Sequence, residues 1–380
     1  MKIAFKSMVK MTFKVTPWEV EGNVDYNKLV KQFGVDLIDK NILNKIKKIT
    51  GETHFMLDRE IFFAHRDLDF ILKEYGKGNK FYLYTGRGPS ENMHLGHLLP
   101  MKFTQYLQKK FNVKCYIQLT DDEKFLFKKN LSTEETKQMS YENALDIIAL
   151  GFDEKKTKII VNTDYSKTLY NEAIKVAKKI TYSTVKAVFG FNNSTNVGQI
   201  FYTSMQAVPA FLESVKQGKN VPCLIPHGID QDPHFRVARD VLPKLGYLKP
   251  ASIQNKLLPG LIEDGKMSAS IPKSAIFTTD SSKEVKKKIQ NAFSGGKETL
   301  EEHRKKGGNP NIDIPFQYLK FLFEPDNKKL KKIYEDYKSG KLLTGELKQI
   351  TIEKINKFLE EHLKSREKAE NKIDKFLLKD

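Results

Sequence analysis

Two histidines around a glycine carry the first chemistry in this chain. His94 and His97 lie three residues apart, so on a helix they share one face. They follow the stretch Thr85-Gly86-Arg87-Gly88-Pro89-Ser90. Its glycines and proline shape a tight loop, and the helix that comes next offers its N-terminus to an anion. Gly96 removes a side chain where a flat base or a phosphate must come close. A second cluster, Gly265-Lys266-Met267-Ser268-Ala269-Ser270, sets one lysine beside small hydroxyl residues in a loop. A lysine so placed can follow charge as it develops on a leaving pyrophosphate. Either cluster alone is weak, because nucleotidylyltransferases share the His-x-Gly-His pattern and Lys-Met-Ser arises by chance. The two together, about 170 residues apart on opposite sides of one nucleotide-binding fold, are specific. His227, Asp230, Asp232 and His234 are all residue types that bind metals. Asp232-Pro233 reads better as a helix N-cap followed by proline at the first helical position. Asp230 and Gln231 then stand at a strand exit, placed for a ribose and a substrate. No metal ligand set is expected, and paired Cys-x-x-Cys motifs are absent.

These residues need elements that hold them. FYLYTGRGPS is an apolar run ending in turn residues, which predicts a buried strand feeding a loop. Helical spacing follows over 95–110 and a second strand over 112–120. A helix around 133–150, a strand at 157–162, a helix at 166–180, a strand at 221–226 and a helix at 233–245 continue the alternation. Strands alternating with helices imply an α/β fold, a parallel sheet with helices on both faces. In such a sheet ligands bind beyond the carboxyl ends of the strands, where the clusters above fall. Upstream, 14–80 reads as short pieces: a hairpin around Pro17–Val24, then amphipathic helices such as Asp36–Ile49. After Ser270 the pattern becomes helical over 282–293, 317–323, 328–338 and 351–378. Ile355, Phe358, Leu359, Leu363, Ile373, Phe376 and Leu377 form one apolar stripe in the last of these. The expected division is 1–80 as an N-terminal extension, 81–270 as the catalytic domain and 271–380 as an α-helical domain.

At 380 residues the chain is long enough for a large core and about two domains. Its 39% apolar and 29% charged residues suit an ordinary globular protein. Lys2, Lys6, Lys10 and Lys14 interrupt the first residues, so no secretory signal is expected. No apolar run reaches membrane-spanning length. Cys115 and Cys223, both in apolar strand-like runs, are expected to be buried and unpaired in a reducing cytoplasm. Asn130-Leu131-Ser132 and similar triplets would then stay unglycosylated. Lys and Arg exceed Asp and Glu by 18, a surplus that suits a polyanionic partner. From Ile271 onward there are 25 basic and 18 acidic residues, so the surplus does not single out one domain.

HLGH and KMSAS resemble the HIGH and KMSKS pair of class I aminoacyl-tRNA synthetases. FYLYTGRGPS, IQLTDDEKFL, PHGIDQDPHFR, AFSGG, EEHRKKGGN and LTGEL resemble the eukaryotic-type tryptophanyl-tRNA synthetases, and the likeness runs from about Val15 to Phe376. Ala269 stands where that signature usually has a second lysine, and the GPSENMHLGH loop is one residue shorter. The resemblance implies a Rossmann-like nucleotide-binding sheet, ATP with Mg²⁺, tryptophan and its tRNA as partners, a homodimer and a cytoplasmic location. It implies that Tyr84 and Gln118 recognise the indole N–H, while Glu123, Gln206 and Gln231 hold the amino and carboxylate ends. It also implies that His94, His97, Lys266 and Ser268 meet the phosphates, with Arg87, Gly96 and Asp230 near the nucleotide. Relatives specific for tyrosine carry an aspartate just after a Gln-Ala pair. Here Pro209 follows Gln206-Ala207-Val208 and offers no acceptor side chain.

Overall fold

The computed structural model describes residues 25–262, 267 and 271–380, together with the paired strands Lys14–Val15 (β1) and Val20–Glu21 (β2). β1 and β2 are antiparallel, so the hairpin begins a few residues before the expected stretch. Residues 17–19 and 22–24 of that expectation lie outside the described residues.

The remaining strands are Asp36–Leu37 (β3), Phe62–Arg66 (β4), Tyr82–Arg87 (β5), Cys115–Leu119 (β6), Thr157–Val161 (β7), Cys223–Gly228 (β8), Ala251–Asn255 (β9) and Leu377–Leu378 (β10). They form one eight-stranded sheet in the order β10-β7-β6-β5-β8-β9-β4-β3. The six strands from β10 to β9 run parallel, and β4 and β3 add an antiparallel edge. β5 lies between β6 and β8, so the chain winds one way from β5 through β6 to β7 and then crosses to the other side. That reversal is a topological switch point, where a crevice opens at the carboxyl ends of the strands.

Side chains alternate across the pleat. Leu83, Cys115, Ile117 and Leu119 face one apolar core, and Tyr82, Tyr84, Tyr116 and Ile160 face the other. The first core is covered by the helices Leu95–Phe111, Thr133–Ala149 and Thr344–Glu370. The second is covered by Ser166–Ala177, Val197–Met205 and Asp232–Val241. Each fully buried Leu or Ile contributes roughly 1.5–3 kcal/mol relative to exposure. Local chemistry sets the ends of these helices. Ser132 and Glu135 close a reciprocal cap on Thr133–Ala149, with N–H to side-chain oxygen distances of 2.7 and 3.1 Å. Asn112, at φ 53, ends Leu95–Phe111 in the left-handed region that asparagine tolerates.

Some expectations need correction. Asp36–Leu37 is a strand, and the helix starts only at Lys40, where Asp39 accepts the N–H of Ile42 at 2.8 Å. The segment expected as one helix over 351–378 is Thr344–Glu370, a short turn Ile373–Phe376, and then β10, which pairs with β7. The far C-terminal residues therefore belong to the main sheet. Asp232 is the first residue of its helix rather than the cap. Its carboxylate is taken instead by Arg66 in a two-pronged ion pair, Nε to Oδ1 at 3.0 Å and Nη2 to Oδ2 at 2.9 Å. No helix among the described residues is long and apolar enough to cross a membrane. Cys115 and Cys223 are both buried and free, on strands that flank β5.

Candidate active site

Every strand near the switch point ends in a polar residue aimed at the crevice. β5 delivers Arg87, β6 delivers Asp121 to Glu123, β7 delivers Asn162, and β8 delivers Asp230 and Gln231. The crevice has two halves.

The first half is a closed hydrogen-bond network around Tyr84. Its hydroxyl donates to Gln118 Oε1 at 2.6 Å and accepts from Gln206 Nε2 at 3.1 Å. Tyr84 and Gln118 are fully buried, and burial pushes the phenol well above its ordinary range, so it stays a neutral donor at any working pH. Gln118 Nε2 in turn donates to Asn162 Oδ1 at 2.9 Å, and Asn162 Nδ2 donates to Asp122 Oδ1 at 2.7 Å. On the far side Tyr202 donates to Glu123 Oε2 at 3.0 Å and also bonds Gln206 Oε1. Thr120 reaches the same Glu123 oxygen at 2.6 Å. Tyr84, Gln118, Glu123 and Gln206 are thus brought together. Tyr202 and Asn162 were missed by sequence reasoning. Tyr202 precedes Gln206 by one helical turn, and Asn162 directly follows a buried strand, so both signals were present. Phe235 packs edge-on to Tyr84 with ring centres 5.9 Å apart and ties Asp232–Val241 to the same pocket. Gln231, at the start of that helix, donates to Asp230 Oδ2 at 3.0 Å.

The second half is built on the entry to Leu95–Phe111. The rings of His94 and His97 stack with centres 3.4 Å apart, and His97 Nδ1 accepts the His94 N–H at 3.2 Å. His94 pairs with Phe277, and the Leu95 N–H donates to Ile276 O at 3.0 Å, which fastens the motif to the segment after the second cluster. Gly96 sits at the join. A Cβ there would lie 3.1 Å from His94 Nδ1 and 3.2 Å from Met267 Sδ, tighter than side chains ordinarily pack. The two sequence motifs therefore meet at Gly96 and Met267. Lys266 and Ser268 lie outside the described residues.

Arg87 closes this half. Its Nη2 donates to Ser90 Oγ at 2.7 Å and its Nε to Gly88 O at 3.1 Å, while Nη1 is buried with no partner among the described residues. Burial lowers the guanidinium to about 9, with the charge of Asp146 opposing, so it remains a cation at neutral pH. Lys124 is also held below its ordinary range, first by burial and next by the Arg87 charge. Two partly desolvated cations close enough to feel each other's charge make a place that suits phosphate oxygens. Burial lowers the buried imidazole of His234 to about 3 and lowers that of His227 as well, so both are neutral. Among the described residues no group of three or more His, Cys, Asp or Glu is disposed to hold a metal ion.

A parallel sheet with a nucleotide-type crevice, the His-x-Gly-His entry and a Lys-Met-Ser loop define a class I aminoacyl-tRNA synthetase. The family model of class I tRNA synthetases (W and Y) matches residues 77–360. A tryptophan–tRNA ligase of Sulfolobus acidocaldarius is 52% identical over 367 residues, 96% of this chain and 95% of that protein. Among solved structures, the tryptophanyl-tRNA synthetase of Plasmodium falciparum superposes with a TM-score of 0.88 at 44% identity, covering 93% of this chain and 97% of that one. The Encephalitozoon cuniculi tryptophanyl-tRNA synthetase bound to tryptophan gives 0.86 at 37%, covering 94% and 98%. The chain belongs to the class I tRNA synthetase family, in its tryptophanyl-tRNA synthetase branch.

Proposed function

We propose that the crevice activates tryptophan with ATP, releasing pyrophosphate, and that the chain then transfers the acyl group to the terminal ribose of its tRNA as a tryptophan–tRNA ligase. The observation that carries the tryptophan assignment is the buried Tyr84–Gln118–Gln206 network. An indole is a flat apolar body with one donor, and this network offers acceptors at one point within an otherwise apolar wall. Glu123 lies at the polar end of the pocket and accepts the α-ammonium group, with Gln206 and Gln231 supporting the amino and carboxylate ends. A site built around such a polar handle rejects analogues that lack it by roughly 10⁴–10⁵. Pro209, whose carbonyl accepts the Tyr82 hydroxyl at 2.9 Å, presents no side-chain acceptor for a phenol.

The carboxylate of tryptophan attacks the α-phosphate of ATP in line, and the protein contributes position and positive charge rather than a covalent nucleophile. His94, His97 and Lys266 contact the phosphates, with Ser268 beside them. Arg87 adds charge from the β5 end, Gly96 leaves room for the base, and Asp230 faces the ribose. Phosphate oxygens are hard ligands that suit Mg²⁺, so the ion enters on the triphosphate. The helical region 271–380 reads the anticodon, where unpaired bases can stack on side chains. The reading places the enzyme in the cytoplasm as a homodimer, which sedimentation at assay concentration tests directly.

The deciding experiment is ATP–pyrophosphate exchange with each of the twenty amino acids in the absence of tRNA. Exchange that depends on tryptophan alone is expected. Exchange with tyrosine would overturn the pocket assignment, and silence with all twenty would overturn the activity. Lys266→Ala is expected to slow exchange while tryptophan binding stays within about two-fold, because the lysine acts on phosphates rather than the amino acid. Equal loss of both would remove Lys266 from its role.

A further inference from the structure

The guanidinium of Arg87 is aimed by contacts that no sequence motif reveals. Its only side-chain partner among the described residues is Ser90, whose Oγ accepts from Nη2 at 2.7 Å and donates to Asn92 O at 2.7 Å. Ser90 is gripped at two points by a single side chain from another element. Asn143, on the helix Thr133–Ala149, accepts the Ser90 N–H on Oδ1 at 3.0 Å and donates from Nδ2 to the Ser90 carbonyl at 2.7 Å. Asn143 is fully buried. A primary amide donates and accepts in one plane, so it can hold both the N–H and the C=O of one residue much as a neighbouring strand would. Such a clamp fixes both the position and the rotation of the loop between β5 and the histidine motif.

The helix that carries the clamp is itself held by the C-terminal region. One turn beyond Asn143, the buried Asp146 accepts from His362 Nε2 at 2.8 Å and lies 3.5 Å from Arg366 Nε. Arg366 also pairs with Glu142. Asp146 is the charge that opposes the burial effect on Arg87, which puts it within electrostatic reach of the same guanidinium. Buried polar groups of this kind are costly unless satisfied, and here they are satisfied only when the loop, the helix and the C-terminal helix are all in place.

We propose that Asn143 is a positioning residue for the nucleotide chemistry: through Ser90 it holds the Arg87 guanidinium, whose Nη1 has no partner among the described residues, where the triphosphate of ATP is met. This rests on the placement of Arg87 at the nucleotide given above. Displacing a catalytic cation by about 1 Å can cost on the order of 10²-fold in rate, so a loose clamp would be felt in ATP kinetics before anything else.

The test is a double-mutant cycle on the full chain, read by tryptophan-dependent ATP–pyrophosphate exchange and by equilibrium binding of tryptophan. Asn143→Ala is expected to lower kcat/KM for ATP by about 10-fold or more while the tryptophan Kd stays within about two-fold. Arg87→Ala should show the same pattern, and the double variant should be no worse than Arg87→Ala alone, because both changes remove one effect. A residue with a merely structural role would add its loss to that of Arg87. Multiplicative losses in the double variant, or an Asn143→Ala variant within two-fold of the parent, would overturn the proposal. If Asn143→Ala does not fold, Ser90→Ala takes its place in the cycle and must likewise fail to add to Arg87→Ala. Unimpaired ATP kinetics in Arg87→Ala alone would instead sink the placement of Arg87, and the inference with it.

Discussion

Tyr84 and Asp122 sit at opposite ends of one hydrogen-bond chain and respond to burial differently. Tyr84 is locked neutral, and its hydroxyl joins Gln118 to Gln206. Tyr84→Phe removes one donor and one acceptor from a dry site, a loss of about 1–3 kcal/mol. The expected outcome is a KM for tryptophan raised roughly 10-fold, with the KM for ATP little changed; equal increases in both would dissociate Tyr84 from amino-acid recognition. Asp122 is raised from 3.8 to about 7, first by burial and then by its neighbour Asp121. A raised carboxyl binds its proton more tightly in the folded chain than in the unfolded one. Its stabilising contribution is therefore complete below about pH 4 and is lost as pH rises through about 7. Asp122→Asn, which cannot ionise, should lose less thermal stability than the parent between pH 4.5 and 7.5, by on the order of 2 kcal/mol. Identical melting profiles for the two proteins would refute the shift. Of this pocket, Tyr84, Gln118, Glu123 and Gln206 were legible because the resemblance pointed to them. Asn162 and Tyr202 carried a positional signal that was passed over, one at a strand exit and one a helical turn before Gln206. Asn143 carried none, because a lone Asn within a helix looks the same in sequence whether it faces solvent or holds another loop.

Elements were legible where their periodicity was long. Leu95–Phe111, Thr133–Ala149 and the strands β5 to β8 all fall close to where apolar spacing put them. β4 was missed because Phe62-Phe63-Ala64 is a short apolar run with no polar alternation to mark it as a strand. β9 does alternate over Ala251-Ser252-Ile253-Gln254, but the run is too short to stand out, and its polar side chains are buried like the apolar ones. β10 was missed because its two residues follow a helix in an apolar stripe, and only their pairing with β7 makes them a strand. Sequence separates Gly96 from Met267 by 171 positions, yet the fold leaves no room for a methyl group between them. Gly96→Ala must push His94 or Met267 by a few tenths of an ångström. Stability should change little, since the added group lies at the mouth of the crevice and the helix gains propensity by about 1 kcal/mol. Exchange activity should fall by about 10-fold or more, because the stacked histidines would no longer meet the phosphates squarely. Circular dichroism and the melting temperature report the first quantity and pyrophosphate exchange the second. A drop in melting temperature that accounts for the lost activity would mean that Gly96 serves the fold rather than the site.

Across the whole molecule, charge and topology divide the two half-reactions. On the proposed reading, the crevice that activates the amino acid lies among the sheet ends, with Arg87 half-buried and Lys124 held below its ordinary range by burial, so salt screens its internal pairs weakly. The tRNA must be held by the outer surface, and the surplus of 18 positive charges is spread over the whole chain. Each phosphate neutralised by a surface lysine or arginine releases counterions, which gives a dependence of log affinity on log salt with a slope near −0.7 to −0.9 per contact. If the helical region 271–380 and the catalytic domain both touch the tRNA, several contacts form at once. The KM for tRNA in aminoacylation should then rise by at least about 10-fold between 50 and 200 mM salt. The KM for tryptophan in pyrophosphate exchange should move less than about two-fold over the same range if its recognition rests, as proposed, on the buried network of Tyr84, Gln118 and Gln206. Measuring both constants across one salt series separates the two surfaces without any mutation. Parallel rises in the two would mean that the tryptophan pocket is open to solvent ions, which the enclosure of Tyr84 and Gln118 contradicts. A flat response in both would mean that the positive surplus does not contact the nucleic acid, and the assignment of the C-terminal helices to tRNA would have to be given up.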